Sequence, residues 1–270
     1  MTAIPPPPGP DPLWQQLATG AFAGRPARLL ASTGSTNSDA LALGRQGAAA
    51  GTVIVAETQS GGRGRLGRPW LSPSGTGLYF SVILRPRLAP ADFPKITLAA
   101  GLAVSQAVEA ETGLFPGIKW PNDLLLAGRK FCGILTEGEP LAAPGPLAVL
   151  GIGLNVSTPH AVFPEELRGR ATSLLAHSGR VYPRGPLLAA ILARLEAVLN
   201  RLENHDFPGI MAEWRRRDAL TGRRLTWMTP RGAIVTGTAL GPDEEGVLHL
   251  RDEAGVVQEV LSGDLRLAGG

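Results

Sequence analysis

A single cysteine, Cys132, stands among the 270 residues, so no intramolecular disulfide can form and there is no cysteine-based metal framework. That fits a reducing compartment. Charge is also sparse: charged side chains make up 18% of the chain and the formal net charge is +3, too small an excess for a dedicated nucleic-acid binder. No stretch is apolar for long enough to cross a bilayer. The N-terminus, with its prolines from Pro5 to Pro8, lacks both the basic and the apolar segments of a signal peptide. These absences predict a cytoplasmic protein without a membrane anchor. The four histidines, His160, His177, His205 and His249, lie outside the motifs that carry chemistry, so imidazole is not the ready acid or base here.

What is present suggests one large and one small domain. Residues 1–25 read as a Pro-rich leader with a short amphipathic piece around Leu13 to Leu17, too short for a folded helix-turn-helix. Residues 26–217 read as an α+β domain. Apolar spacing predicts a half-buried helix over Asp92 to Thr112 with Gly113 as its stop, and another over Pro186 to Leu202. From 218 to 270 the texture changes to short β-like pieces separated by Gly and Asp: Arg224 to Thr229, Ala233 to Leu240, Gly246 to Leu250 and Val256 to Leu261. Their spacing predicts a small barrel docked on the main domain.

The densest stretch is Glu57 to Trp70, which places Gly61, Gly62, Gly64 and Gly67 among Arg63, Arg65 and Arg68. Glycine lets backbone N–H groups approach a ligand, and each arginine adds a planar fork of donors suited to carboxylate or phosphate. A flexible basic loop, or an Arg-Gly segment that folds on nucleic acid, is the plainer explanation. Its flanks argue otherwise. Thr52 to Ala56 and Gly77 to Leu84 are strand-like, so two ordered strands would hold the loop.

Ser32 to Asn37 is a hydroxyl-rich turn running into a helix over Ser38 to Leu43, with Ser35, Thr36 or Asn37 as the N-cap. A helix N-terminus can also offer donors to a ligand. Further on, Gly117 to Leu126 and Arg129 to Glu137 are two apolar runs joined by the turn Ala127-Gly128, a hairpin pattern. Lys119, Asn122, Asp123 and Lys130 are set into or beside these runs, and buried charges must pair or face a ligand. Leu147 to Val156 is another strand, with Gly151 and Gly153 where a ligand could come close and Asn155 at its end.

Taken together, Ser35-Thr36-Asn37, Gln59 with Gly62-Arg63-Gly64-Arg65-x-x-Arg68-x-Trp70, Lys119-Trp120-Pro121-Asn122-Asp123, Arg129-Lys130-x-x-Gly133-Ile134-Leu135 and Gly151-x-Gly153-x-Asn155 resemble the ordered motifs of biotin protein ligases. The likeness is strong over residues 30 to 160 and only textural in the C-terminal piece. It implies a mixed sheet with helices, related to class II aminoacyl-tRNA synthetases, and an SH3-like C-terminal domain. It also implies ATP-dependent activation of biotin, with Mg²⁺, to biotinyl-5'-AMP, and transfer to a lysine of a biotin carboxyl carrier protein domain, as in acetyl-CoA carboxylase.

By this resemblance Lys130, Arg63 and Arg65 screen the repulsion between the biotin carboxylate and the α-phosphate, and Asp123 orients or deprotonates the acceptor amine or else pairs with a lysine. Ser35, Thr36, Asn37, Gln59, Gly62, Arg63, Gly64, Arg65, Lys130 and Gly133 hold biotin. Arg65, Arg68, Trp70, Lys119, Asn122 and Asn155 hold the nucleotide. The loop from Gly61 to Arg68 is expected to be mobile without ligand and to order over the product.

Cys132, where the family often has Ala, reads as a small buried filler. The absent helix-turn-helix implies a ligase without operator binding, with no nucleic-acid partner, and a monomer or a homodimer. A lipoate ligase would share the fold, but its Arg-Arg-x-x-Gly-Gly-Gly signature is missing. A nucleic-acid-binding regulator using the Arg-Gly loop is the rival from another class; its sign would be salt-dependent DNA binding indifferent to biotin.

Overall fold

A computed structural model describes residues 22, 27–139, 145–229, 232–261 and 264–267. Of the leader only Phe22, buried in the main core, is described; the Pro-rich run and the amphipathic piece fall outside the described residues. In chain order the elements are β1 (Ala27–Leu30), α1 (Thr36–Arg45), β2 (Val53–Ala56), β3 (Gly77–Leu84), α2 (Phe93–Thr112), β4 (Gly117–Lys119), β5 (Asp123–Leu126), β6 (Arg129–Glu139) and β7 (Leu147–Asn155). Next come α3 (Glu165–Arg168), α4 (Leu174–Ser178), α5 (Arg184–Glu203) and α6 (Phe207–Arg215), then β8 (Arg224–Met228), β9 (Ile234–Pro242), β10 (Leu248–Asp252), β11 (Val257–Val260) and β12 (Asp264–Leu267).

Strands β1 to β7 form one sheet in the order β1-β2-β3-β7-β6-β5-β4, parallel between β1 and β2 and antiparallel elsewhere. Alternation along the strands splits its side chains between two cores. On one face Val53, Val55, Leu78, Phe80, Val82, Leu150, Ile152 and Leu154 pack into the main core with α2 and α5. On the other, Ile54, Ile83, Leu147 and Val149 meet Ala40 of α1.

Helix α2 starts one residue later than its apolar spacing predicts and stops where expected: Gly113 has φ 71° and its N–H bonds to Glu109 O. Helix α5 buries Leu187, Leu188, Ile191, Leu192, Leu195, Val198 and Leu202, the helical period that predicted it. At its first residue, Arg184 is only 5% exposed and is paired at 2.8 Å with Glu57, at the end of β2. That pair ties α5 to the start of the Arg-Gly loop.

One expected strand divides. The run Gly117 to Leu126 folds back at Trp120 to Asn122 into β4 and β5, paired antiparallel with Lys119 opposite Asp123. Pro121 has no N–H to give a ladder, so the chain turns there. The second turn, Ala127-Gly128, joins β5 to β6 as expected, with φ values of 46° and 78°.

Strands β8 to β12 make a five-stranded antiparallel sheet in the order β11-β10-β9-β8-β12, consistent with a small SH3-like domain. It docks through the turn before β10. Trp120 Nε1 donates to Gly246 O at 3.0 Å, and a Cβ on Gly246 would collide with Leu98 and Phe207. None of the described helices is long and apolar enough to cross a membrane.

Candidate active site

The cleft lies on the α1 face of the sheet, where glycines leave the floor bare. Gly151 and Gly153 of β7 share that face with Leu135 and Gly133, their partners on β6, and with Ser81 and Tyr79, their partners on β3. Side chains here would destroy the site: a Cβ on Gly151 would collide with the Asn37 amide, and one on Gly153 would sit 2.5 Å from the Trp70 indole.

Lys130 reaches the same floor through a bulge. Leu124 opposes Cys132 while Leu125 opposes Lys130, so Phe131 is the extra residue in β6. In a regular strand Lys130 and Gly133, three apart, would point to opposite faces. The bulge instead sends Phe131 and Cys132 together into the main core and leaves Lys130 beside Gly133. Backbone bonds from Lys130 N to Arg170 O and from Thr172 N to Lys130 O, both 2.8 Å, hold it there. Its ammonium pairs with Asp123 at 2.5 Å and lies 5.3 Å from the Trp70 ring centroid.

The wall opposite belongs to the start of α1. Ser35 is the N-cap residue, in extended conformation; its hydroxyl caps no backbone N–H, and the residue lines the cleft. Gln59 Oε1 accepts from Thr36 N at 2.9 Å and Thr36 Oγ1 at 3.2 Å, while Gln59 Nε2 donates to Ser72 Oγ at 3.0 Å. The first turn of the helix and the strand end that leads into the Arg-Gly loop are thereby held in one arrangement. Deeper, Ser81 Oγ lies 2.6 Å from Asn37 Oδ1 and 2.7 Å from Thr36 Oγ1. A carbonyl oxygen only accepts, so the single Ser81 proton goes to Asn37, and the Thr36 hydroxyl proton is shared between Ser81 Oγ and the longer contact to Gln59 Oε1.

The loop is a small hairpin with an Arg63–Pro69 bridge, in which Trp70 N donates to Gly62 O at 2.8 Å. A Cβ on Gly62 would sit 2.7 Å from Trp70 O, which accounts for the glycine. Arg63 and Arg65 reach toward different walls: Arg63 donates to Ser38 Oγ at 2.8 Å and Arg65 to Asn122 Oδ1 at 3.3 Å. Trp70 lies against Gly133 and Gly153, and its buried Nε1 has no hydrogen-bond partner among the described residues.

Of the residues singled out in the sequence, Ser35, Thr36, Asn37, Gln59, Arg63, Gly64, Trp70, Asn122, Lys130 and Gly133 line this cleft. Gly62, Arg65 and Asp123 stand directly behind it and touch lining residues. Arg68 and Lys119 do not line it. Nor does Asn155, expected at the nucleotide: its buried amide donates to Thr172 O at 3.0 Å, tying β7 to the segment beside Lys130.

Sequence reasoning missed Ser81, Ser72, Ser38 and Glu137. The first three are ordinary polar residues without a motif, and only Glu137, a charge late in an apolar run, carried a signal. Burial pushes the Cys132 thiol far up, and holds the Tyr79 hydroxyl up to about 12, so neither is a proton carrier at neutral pH. No group of three or more metal-ligating side chains occurs among the described residues.

A bare glycine floor beside a helix terminus, with Lys130 and Arg63 on its walls, is the arrangement of a protein that binds a small anionic ligand. The biotin/lipoate A/B protein ligase family matches residues 29–155, the segment that builds this cleft. Over 258 residues the chain is 37% identical to the biotin–[acetyl-CoA-carboxylase] ligase of Mycobacterium tuberculosis, covering 94% of this chain and 93% of that protein. It is 38% identical to the bifunctional ligase/repressor BirA of Bacillus spizizenii, covering 86% of this chain and 71% of that one. Among solved structures, the biotin protein ligase from Aquifex aeolicus in complex with biotin and ATP superposes with a TM-score of 0.77 at 32% identity, covering 90% of this chain and 99% of that one. The chain belongs to the biotin/lipoate A/B protein ligase family, on its biotin protein ligase side.

Proposed function

We propose that this chain is a biotin protein ligase acting in two steps. In the first, a biotin carboxylate oxygen attacks the α-phosphorus of ATP, forming biotinyl-5'-AMP as the bond to pyrophosphate breaks. In the second, the neutral amine of a carrier lysine attacks the activated carbonyl, forming an amide and releasing AMP. The observation that carries this reading is the convergence of Lys130 and Arg63 with Ser35, Thr36 and Gln59 around one glycine-floored cleft.

The chemistry needs such a site because two anions must be brought together. Lys130 and the loop arginines offset that repulsion in a place from which water is removed. Ser35 Oγ and the remaining N–H donors of Lys130 and Arg63 are available to a bound ligand, and the Trp70 N–H has no partner among the described residues. Asp123, committed to Lys130 at 2.5 Å, is assigned the part of holding that ammonium over the floor; taking the acceptor proton would require the pair to separate. Mg²⁺ arrives in this reading as the counter-ion of the nucleotide phosphates, its ordinary mode of binding, and no step passes through a protein-held metal. The acceptor is a biotin carboxyl carrier domain of acetyl-CoA carboxylase or a related carboxylase.

Purified protein with ATP, Mg²⁺ and a carrier domain, with and without biotin, tests this directly. Biotin-dependent covalent label on the carrier is the expected result. A carrier that stays unlabelled, or that takes lipoate in preference, would overturn it.

A further inference from the structure

We infer that Glu137 is a positioning residue for the first step, a carboxylate that holds both the α1 terminus and the Arg-Gly loop against the sheet. The inference rests on the ligase reading of the cleft. Glu137 follows Gly133 and Leu135 on the same face of β6. Its Oε2 accepts from Asn37 Nδ2 at 2.6 Å, and its two oxygens lie 3.4 and 3.5 Å from Arg63 Nη2.

Counting protons shows what Asn37 can still do. Its amide nitrogen faces Glu137 and, at 3.4 Å, Leu135 O, while its amide oxygen takes the Ser81 proton. Both donors are therefore occupied, so Asn37 acts as a strut under the ligand and has no N–H left for a ureido group. Glu137 is what orients that strut. Gly151 is part of the same device, because any side chain there would displace the amide.

Arg63 is the other half. Its guanidinium bridges Ser38 of α1 and Glu137 of β6, which aims the loop base across the cleft mouth. Arg63 is 41% and Glu137 31% exposed, so the pair adds little to stability and acts by direction. A ligand anion meeting Arg63 meets a guanidinium already placed.

The test compares Glu137→Ala and Glu137→Gln with the unaltered chain by biotin-dependent pyrophosphate exchange, with KM and kcat resolved for each substrate. In ligand-free ¹⁵N-labelled protein, hydrogen exchange of the Asn37 side-chain amide is followed alongside. Glu137→Ala is expected to raise KM for both biotin and ATP by about 10-fold or more, and to speed Asn37 amide exchange. Glu137→Gln can still accept from Asn37 but offers Arg63 no charge, so it should return Asn37 exchange toward that of the unaltered chain and recover only part of the KM for biotin.

Unchanged KM values with unchanged Asn37 exchange in Glu137→Ala would overturn the inference. So would a loss of kcat alone that follows the loss of folded protein, the sign of a merely structural role. If the unaltered chain itself shows no biotin-dependent exchange, the ligase reading fails, and the ligand-free Asn37 measurement still decides whether Glu137 holds the amide.

Discussion

At Lys130 a cation, a bulge and a carboxylate partner meet, and most of the expected chemistry depends on that one ammonium. Lys130→Ala should lower the first step by at least ~10²-fold, measured as pyrophosphate exchange, because it removes a charge aimed at the reacting oxygens. Gly153→Ala tests the floor. Its new Cβ would meet the Trp70 indole at 2.5 Å, so the expected loss is about 1–3 kcal/mol in urea unfolding, together with weaker biotin binding by calorimetry. An alanine that left both unchanged would show that the indole does not rest where it is described. Cys132 is fully buried and its thiol is held far above its ordinary range, so alkylation in native protein should be negligible and should appear only on unfolding.

Among the elements, the Arg-Gly loop is the one expected to move on ligand binding. Its tip holds Leu66 at φ 57°, a left-handed conformation that disfavours leucine, with the side chain 69% exposed. A loop with an exposed apolar tip and few core contacts belongs to the least stable part of a fold. Trypsin cleavage after Arg63 and Arg65 should therefore slow when biotin and ATP are both present, since proteolysis follows the population of the open form. Equal cleavage rates with and without the ligands would contradict closure. The indole of Trp70 should report the same event as a fluorescence change on ligand addition.

Across the whole molecule, the C-terminal sheet is joined to the cleft by a short path. The turn holding Gly246 accepts a bond from Trp120, and Trp120 precedes the Pro121-Asn122-Asp123 turn that supplies the cleft with Asn122 and the partner of Lys130. Gly246 has φ 85° and no room for a Cβ, so Gly246→Ala should lower the melting temperature and the pyrophosphate-exchange rate together. Asp243 closes the same turn, accepting from Glu245 N at 3.0 Å, Val247 N at 2.8 Å and His249 Nε2 at 2.8 Å. Burial alone would raise this carboxyl, but the hydrogen bonds from His249 and Val247 win and hold it below its ordinary range. A depressed folded value means that the turn's stabilisation is complete above the ordinary carboxylate range and is lost as pH falls through the folded value. Acid melting curves should show Asp243→Asn less sensitive over that interval than the unaltered chain.

Composition and periodicity by themselves determined the kinds of element, and the ordered motifs, through their resemblance to a family, marked the residues expected to carry chemistry. Glycine at 113 ends a helix whatever surrounds it, and leucines at helical spacing bury one face, so α2 and α5 were legible from local rules. Gln59, Arg63, Trp70 and Lys130 stood out because residue type and order are properties of the chain. Other features depended on partners distant in sequence. The bulge at Phe131 that turns Lys130 toward Gly133 exists only against β5, and the division at Pro121 only within a ladder. Glu137 and Ser81 acquire their roles from Asn37, at separations of 100 and 44 residues. Which face a side chain takes, and which proton it receives, is settled by register and packing, because strand parity and hydrogen-bond valence are satisfied between elements and not within them.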